Sequence, residues 1–484
     1  MNYSMIFYLL GCVLTLVGTA LLVPFGVGLC YSETQAWSYL AVAAVSIVIG
    51  VLFVLRKPKN NRLFAKEGFV TVALSWVVMS VVGCVPLVVS GDIPSFMTAF
   101  FETVSGFTTT GATNLTEVET LSRASLFWRS ETHWLGGVGV IIFILAVVRM
   151  TGGYSIQLMR AESPGPSTDK IKPRLKTTAI ILYAIYTVLT ALQTVALLIC
   201  KLPLFDAVTT ALATAGTGGF SVRNAGIGAY MNPAAEWVIA IFMVIFGINF
   251  NLYYLIVKKR FKEALSNEEL IVFLSIVFLT CASVAINIKT VFPDMFTSAG
   301  ELIRTSFFTV ASIISSTGFT TADFNNWPAF SKLLLMLIMF CGACAGSTGG
   351  GMKVIRIIIL VKTGIKEVAH ALHPRSVKAV RIDGKKVSGE TVKSVLAYFA
   401  IEMLIIAGSV LVLSLENFDT TTTVTSVITC IHNIGPGLNM VGPTGNFASY
   451  SVLSKAVLVF DMLAGRLEIL PILVLLSPAT WKRD

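Results

Sequence analysis

The sequence predicts an all-α polytopic membrane protein: four helix–half-helix–loop–helix repeats arranged around one axis, preceded by two further helices. Three observations predict it. Of the 484 residues, 55% are hydrophobic and 13% charged. That is about half the charged share of a soluble domain, and no soluble core needs this much apolar sequence. Long apolar runs recur near 5–30, 37–55, 68–90, 134–150, 177–200, 234–257, 270–292, 331–361, 394–415 and 452–476. Each is long enough to cross a hydrocarbon layer of about 30 Å, which makes ten spanning helices. Four shorter apolar segments lie between them: Phe96–Thr109, Phe205–Ala215, Ile303–Ser316 and Phe418–His432.

The first run lacks the basic start of a secretory signal, because the first Arg is Arg56, and it is too long for a signal core. It reads as a retained helix. Residues 1–66 therefore hold two N-terminal transmembrane helices, 67–176 repeat one, 177–268 repeat two, 269–390 repeat three with an interrupted second helix, and 391–484 repeat four.

The net charge of +10 is segregated along the chain. Basic clusters occupy Arg56–Lys66, Arg149–Lys176, Lys258–Lys262, Lys353–Lys393 and Lys482–Arg483. The alternate connections carry Glu33, Asp92, Glu117, Glu119, Asp294, Asp323, Glu416 and Asp419. This positive-inside pattern places the basic connections and both termini in the cytoplasm. It explains the basic charge by topology and membrane lipid. No aromatic interleaving points to nucleic acid, and no nucleic-acid partner is expected. Cys341 and Cys344 form a lone CxxC with no second pair or nearby His, so no metal site other than for the transported ion is expected. No acid–base or nucleophile constellation stands out, and the chain does not read as an enzyme.

The short segments cross only about half the hydrocarbon layer at 1.5 Å per residue. Each is followed by a stretch without helical character: Thr109–Thr113, Thr217–Ser221, Ser316–Thr320 and Asn433–Gly437. Irregular backbone at membrane depth is tolerated where it is buried in protein or lines a water-filled cavity. Four such units around one axis make a pore within a single chain. Gly111, Gly219, Gly318 and Gly435 align at the loop tips, where carbonyls turned toward an ion demand backbone angles that a β-carbon disfavours. Carbonyls from four sides can replace an ion's hydration shell. The half-helix C-termini add partial negative charge. Both favour a cation.

The loops and their surroundings read SGFTTTGAT at Ser105–Thr113, GGFS at Gly218–Ser221, STGFT at Ser316–Thr320 and NIGPGL at Asn433–Leu438. Two further segments read GSTGGGMKVIR at Gly346–Arg356 and GRLE at Gly465–Glu468. Across nearly the whole chain these resemble the TrkH branch of the Trk/Ktr/HKT potassium-transporter superfamily. The resemblance implies a gated K⁺-uptake channel of four pseudo-symmetric repeats around a pore, also passing Rb⁺. It implies K⁺-binding positions at Thr110, Gly111, Ala112, Gly218, Gly219, Phe220, Thr317, Gly318, Phe319, Ile434, Gly435 and Pro436. Gly at the first-loop position, here Gly111, is associated in the family with K⁺ and Ser with Na⁺. The loops share one Gly rather than a full TVGYG, which implies looser selection.

The resemblance also implies a gate. Gly346, Ser347, Thr348, Gly349, Gly350 and Gly351 interrupt the apolar run at 331–361. They lack the Gly-Lys-Ser/Thr of a phosphate-binding loop. Three glycines in a row cost a helix about 1 kcal/mol each, so a loop obstructing the pore or a structural kink accounts for them. Arg466 lies mid-way along the last apolar run, where a charge is expensive and faces a cavity or a partner. It either pairs with Glu468 or Asp461 or sets a barrier in the permeation path, and the two roles are compatible. Glu402 is a further acid in an apolar run, suited to a helix terminus or to Arg466.

A Na⁺- or H⁺-coupled K⁺ symporter is the competing reading. Such transporters place acidic residues at mid-membrane, often in inverted repeats, whereas these four repeats run parallel. The resemblance further implies a homodimer and a cytoplasmic nucleotide-binding regulatory subunit, TrkA-like, at a bacterial inner membrane. No nucleotide fingerprint is present in this chain, so no cofactor is expected on it and the nucleotide belongs to the partner.

Overall fold

The computed structural model describes residues 1–58, 64–151, 175–375 and 379–482. Arg160, Lys170, Lys172 and Arg174 of the second basic cluster lie outside them, as do Lys59, Arg62, Lys378 and Arg483. The described residues are helical apart from loops and one antiparallel pair of two-residue strands, Arg381–Ile382 and Lys385–Lys386.

Two kinds of helix alternate. The long ones turn apolar side chains outward. In the apolar windows of Ala36–Leu55, Ala179–Ile199, Glu268–Val291 and Gly389–Glu416 only 28%, 22%, 28% and 17% of residues are buried. Val48, Leu52, Phe278, Leu404 and Leu411 lie exposed on them. Such a surface is stable only against lipid, and the chain is a membrane protein. The short helices reverse this. Phe96–Phe107, Leu204–Gly216, Ala299–Ile314 and Thr420–Ile431 are 12, 13, 16 and 12 residues long, and most of their residues are buried. Several of their Ser and Thr hydroxyls bond carbonyls of the same helix: Thr103 bonds that of Ala99 at 2.8 Å, Thr214 that of Thr210 at 2.7 Å, and Thr425 that of Thr421 at 2.7 Å. Side chains of Ser95, Ser298 and Asp419 cap three of the four.

The two N-terminal helices, Tyr3–Ala20 and Ala36–Leu55, meet at small residues. A β-carbon on Gly50 would lie 2.4 Å from Thr15 Oγ1, and one on Gly11 2.8 Å from the Gly50 carbonyl. Glu33, in their connection, accepts the Arg123 and Ala124 N–H groups at 2.7 and 3.0 Å. It thereby caps Arg123–Thr151, the second helix of repeat one.

Six continuous helices among the described residues are long and apolar enough to span, against the ten expected. The other four expected spans are the second helices of the repeats, three of which are broken. That of repeat one runs unbroken for 29 residues. The run at 234–257, expected as one helix, is two, Pro233–Gly247 and Phe250–Val257, bent by 91°. Asn249 breaks it, its side chain accepting the Asn251 N–H at 2.9 Å to start the second piece. The run at 331–361 is Ala329–Cys341 and Val354–Leu372, with the break at 342–353 rather than 346–351. The run at 452–476, also expected whole, is Val452–Arg466 and Leu470–Leu476. Glu468 and Ile469 have positive φ there, and their N–H groups return to the Gly465 and Ala464 carbonyls at 3.1 and 2.7 Å.

Candidate functional site

Each half-helix ends in the same way. Thr109, Thr217, Ser316 and Asn433 are left-handed, with φ of 56°, 56°, 57° and 55°. Their N–H groups bond the carbonyls three residues back, and those of Thr110, Gly218, Thr317 and Ile434 bond five residues back at 2.9 Å each. These are four Schellman caps. They satisfy the ends of the half-helices and throw the chain sideways into the loop.

Two residues on, Gly111, Gly219, Gly318 and Gly435 have φ of 76°, 76°, 80° and 100°, a region that L side chains avoid. Space is absent as well. A β-carbon on Gly111 would lie 1.9 Å from the Gly218 carbonyl oxygen, one on Gly219 2.0 Å from that of Thr317, one on Gly318 2.0 Å from that of Ile434, and one on Gly435 2.8 Å from that of Thr110. The contacts run from repeat one to two, three, four and back to one. The loops therefore form a closed ring within one chain.

All four glycines line one cavity, together with Ala112, Phe220 and Pro436. Thr110, Gly218, Thr317 and Ile434 are buried just behind and meet the neighbouring glycine through their carbonyls. Phe319 packs instead into an apolar cluster with Phe308 and Ala311. The carbonyls of Thr110, Gly111, Gly218, Gly219, Thr317, Gly318, Ile434 and Gly435 accept no hydrogen bond among the described residues. Protein carbonyls away from bulk solvent are otherwise nearly always bonded. Unbonded carbonyl dipoles arranged in a ring can coordinate a dehydrated cation.

The ring is braced by side-chain contacts that the sequence alone did not disclose. Glu102 and Arg129 form a buried ion pair at 3.0 Å. Glu102 also accepts from the Thr113 hydroxyl and the Asn114 N–H at 2.6 and 2.7 Å, holding the exit of the first loop. Arg129 lies over the Phe220 ring at 4.0 Å. Asn433 Nδ2 donates to Thr110 Oγ1 at 2.9 Å, tying the fourth loop to the first. Glu102 was legible as an acid inside a half-helix; the others join distant segments and left no local signal.

Against this ring packs the break at 342–353. Gly350 N–H donates to Ser316 Oγ at 2.5 Å, and a β-carbon on Gly350 would lie 2.6 Å from the His432 carbonyl. Gly346 accepts the Phe250 N–H at 3.0 Å. Ser347 bonds the Cys344 carbonyl at 2.6 Å and Thr348 that of Phe246 at 3.3 Å. Gly349 sits against Ala343 and Ser315, and Gly351 against Gly342. Arg466 bridges this loop to repeat one, donating to the Thr348 carbonyl at 2.8 Å and to the Gly136 carbonyl at 2.6 Å.

Lys353 and Arg356, counted above in a cytoplasmic cluster, are buried at the end of this loop. Lys353 bonds the Gly349 carbonyl. Arg356 pairs with Glu468 and lies 4.2 Å from the Tyr398 ring centre. Glu468 thus has Arg356 as its ion-pair partner, and Asp461 accepts from Ser409 at 2.8 Å. Glu402 accepts from Tyr398 at 3.2 Å and lies 3.6 Å from His432 Nε2.

Residues 38–483 match the family described as TrkH, cation transport protein. The chain is 34% identical to the Trk system potassium uptake protein TrkH of Escherichia coli K12 over the full length of both. It is 32% identical to the Trk system potassium uptake protein TrkG of the same organism, covering 98% of each. The crystal structure of the potassium transporter TrkH from Vibrio parahaemolyticus superposes with a TM-score of 0.89 over 100% of both chains, at 30% identity. The chain belongs to the TrkH family of cation transport proteins.

Proposed function

We propose that this chain is the pore-forming subunit of a K⁺ uptake system, a gated channel that passes K⁺ and Rb⁺ through the ring of four loops. The observation that carries the reading is the closed ring of eight carbonyls that accept no hydrogen bond among the described residues. Thr110, Gly111, Ala112, Gly218, Gly219, Phe220, Thr317, Gly318, Ile434, Gly435 and Pro436 form the selectivity filter. Phe319 supports it from behind. Potassium uptake is also what the names of the full-length relatives state.

The loop at 346–351 and Arg466 act as the gate. Their hydrogen bonds to one another and to the base of the ring support this role. An inside-negative potential supplies about 2.3 kcal/mol per charge per 100 mV, sufficient for uptake without a coupled ion. The basic connections support a bacterial inner-membrane location with both termini cytoplasmic. A homodimer and a cytoplasmic nucleotide-binding subunit, TrkA-like, complete the assembly. The second reading, Na⁺- or H⁺-coupled symport, draws on the buried carboxyl groups of Glu402 and Asp461. The test is Rb⁺ uptake by purified protein in K⁺-loaded liposomes without Na⁺ and with no pH gradient. Uptake supports the channel; an absolute need for Na⁺ or a proton gradient supports symport.

A further inference from the structure

We propose that His133 is a positioning residue for ion selection, tying the end of the first half-helix to the second loop and fixing the spacing of two neighbouring quarters of the ring. The inference rests on the reading of the ring as the filter. His133 lies in the second helix of repeat one and is fully buried. Its Nδ1 is 2.8 Å from the Gly106 carbonyl oxygen, and its Nε2 is 3.2 Å from the Phe220 backbone nitrogen. A carbonyl only accepts and a backbone N–H only donates. The ring proton therefore sits on Nδ1 and the lone pair on Nε2. The opposite tautomer would lose both bonds.

Both ends of this tie are at the ring. The Gly106 carbonyl also accepts the Thr109 N–H at 3.0 Å, one of the bonds that turns the chain into the first loop. Phe220 directly follows Gly219, and its ring centre is 4.3 Å from that of His133. A β-carbon on Gly218 would lie 2.1 Å from His133 Nδ1, so the imidazole rests flush on the second loop.

The tie is not a packing need of every repeat. Gly136 and Gly465 are structural counterparts: a β-carbon would meet the last helical carbonyl of its half-helix, Phe107 at 1.9 Å and Ile431 at 1.7 Å. Three residues before Gly136 stands His133; three residues before Gly465 stands the apolar Met462. In the cavity-size account of K⁺ over Na⁺ preference, carbonyl spacing sets the selection, and His133 holds that spacing at the junction of repeats one and two.

The test compares His133→Gln with His133→Met in the full chain, reading the K⁺/Na⁺ permeability ratio from reversal potentials. Glutamine can donate to Gly106 and accept from Phe220, whereas methionine, of similar length, can do neither. The Gln variant should match the wild type. The Met variant should conduct with a ratio lower by about two- to tenfold, the equivalent of one net hydrogen bond. Equal ratios in Gln and Met would overturn the proposal. Gly111→Ser runs beside them: an unchanged ratio there would remove the filter reading and the proposal with it, whereas a changed ratio with Gln equal to Met would remove His133 alone. If the Met protein does not assemble, ¹⁵N-histidine spectra of the wild type decide, with the signal assigned by its loss in His133→Gln. A proton on Nδ1 is expected; a proton on Nε2 would overturn the tie.

Discussion

Replacing Arg466 with alanine removes its hydrogen bonds to the Thr348 carbonyl, in the loop at 346–351, and to the Gly136 carbonyl of repeat one. The first holds the loop in place. A hydrogen bond from a charged donor contributes about 1.5–3 kcal/mol. At about 1.4 kcal/mol per tenfold, its loss shifts the ratio of seated to displaced loop by roughly 10- to 150-fold. Loss of a fixed positive charge beside the proposed pathway acts in the same direction. Rb⁺ uptake into proteoliposomes should therefore rise in Arg466→Ala until the open state dominates. Arg466→Lys separates the two causes. Lysine keeps the charge but lacks the planar fork that reaches two carbonyls. If the bridge holds the gate, Lys behaves like Ala; if charge alone sets the barrier, Lys behaves like the wild type. Uptake unchanged in folded Arg466→Ala, and unchanged after deletion within Gly346–Gly351, would refute the gating argument.

Three further outcomes follow from the same geometry. Gly350→Ala places a β-carbon 2.6 Å from the His432 carbonyl, so the loop must back away and uptake should rise with Arg466 intact. Glu102→Gln leaves the Arg129 charge buried without its partner; thermal unfolding should report a loss of about 3–5 kcal/mol, characteristic of a broken buried pair. Arg356→Ala and Glu468→Ala each break a second buried pair; their double variant should be less destabilised than the sum of the two, and additivity would show that the pair is not coupled.

The repeat architecture was legible because two signals coincide four times: a half-length apolar segment, and a Gly at its exit. Length and backbone freedom are local properties, and a sequence displays them. The interruption of the third repeat was legible for the same reason, through Gly349, Gly350 and Gly351. The breaks after Gly247 and Arg466 were not. The apolar run continues across both, and hydropathy does not distinguish a bent helix from a straight one. Asn249 and Glu468, polar residues inside apolar runs, were the available signals. Lys353 and Arg356 were misassigned because a charge rule treats every basic residue as a loop residue. It cannot foresee that Gly349, Tyr398 and Glu468 receive these two cations inside the protein. The contacts of His133, Arg129 and Asn433 join segments far apart in the chain. Their partners include backbone carbonyls and N–H groups, which a sequence does not single out.

The proposed ion path runs through the ring closed by Gly111, Gly219, Gly318 and Gly435. Gly111→Ser tests it most directly, because a serine β-carbon meets the Gly218 carbonyl at 1.9 Å unless that carbonyl moves. In reversal-potential measurements on reconstituted protein, a lower K⁺/Na⁺ permeability ratio is expected in Gly111→Ser than in the wild type. The same ratio in both, from protein of equal thermal stability, would contradict it.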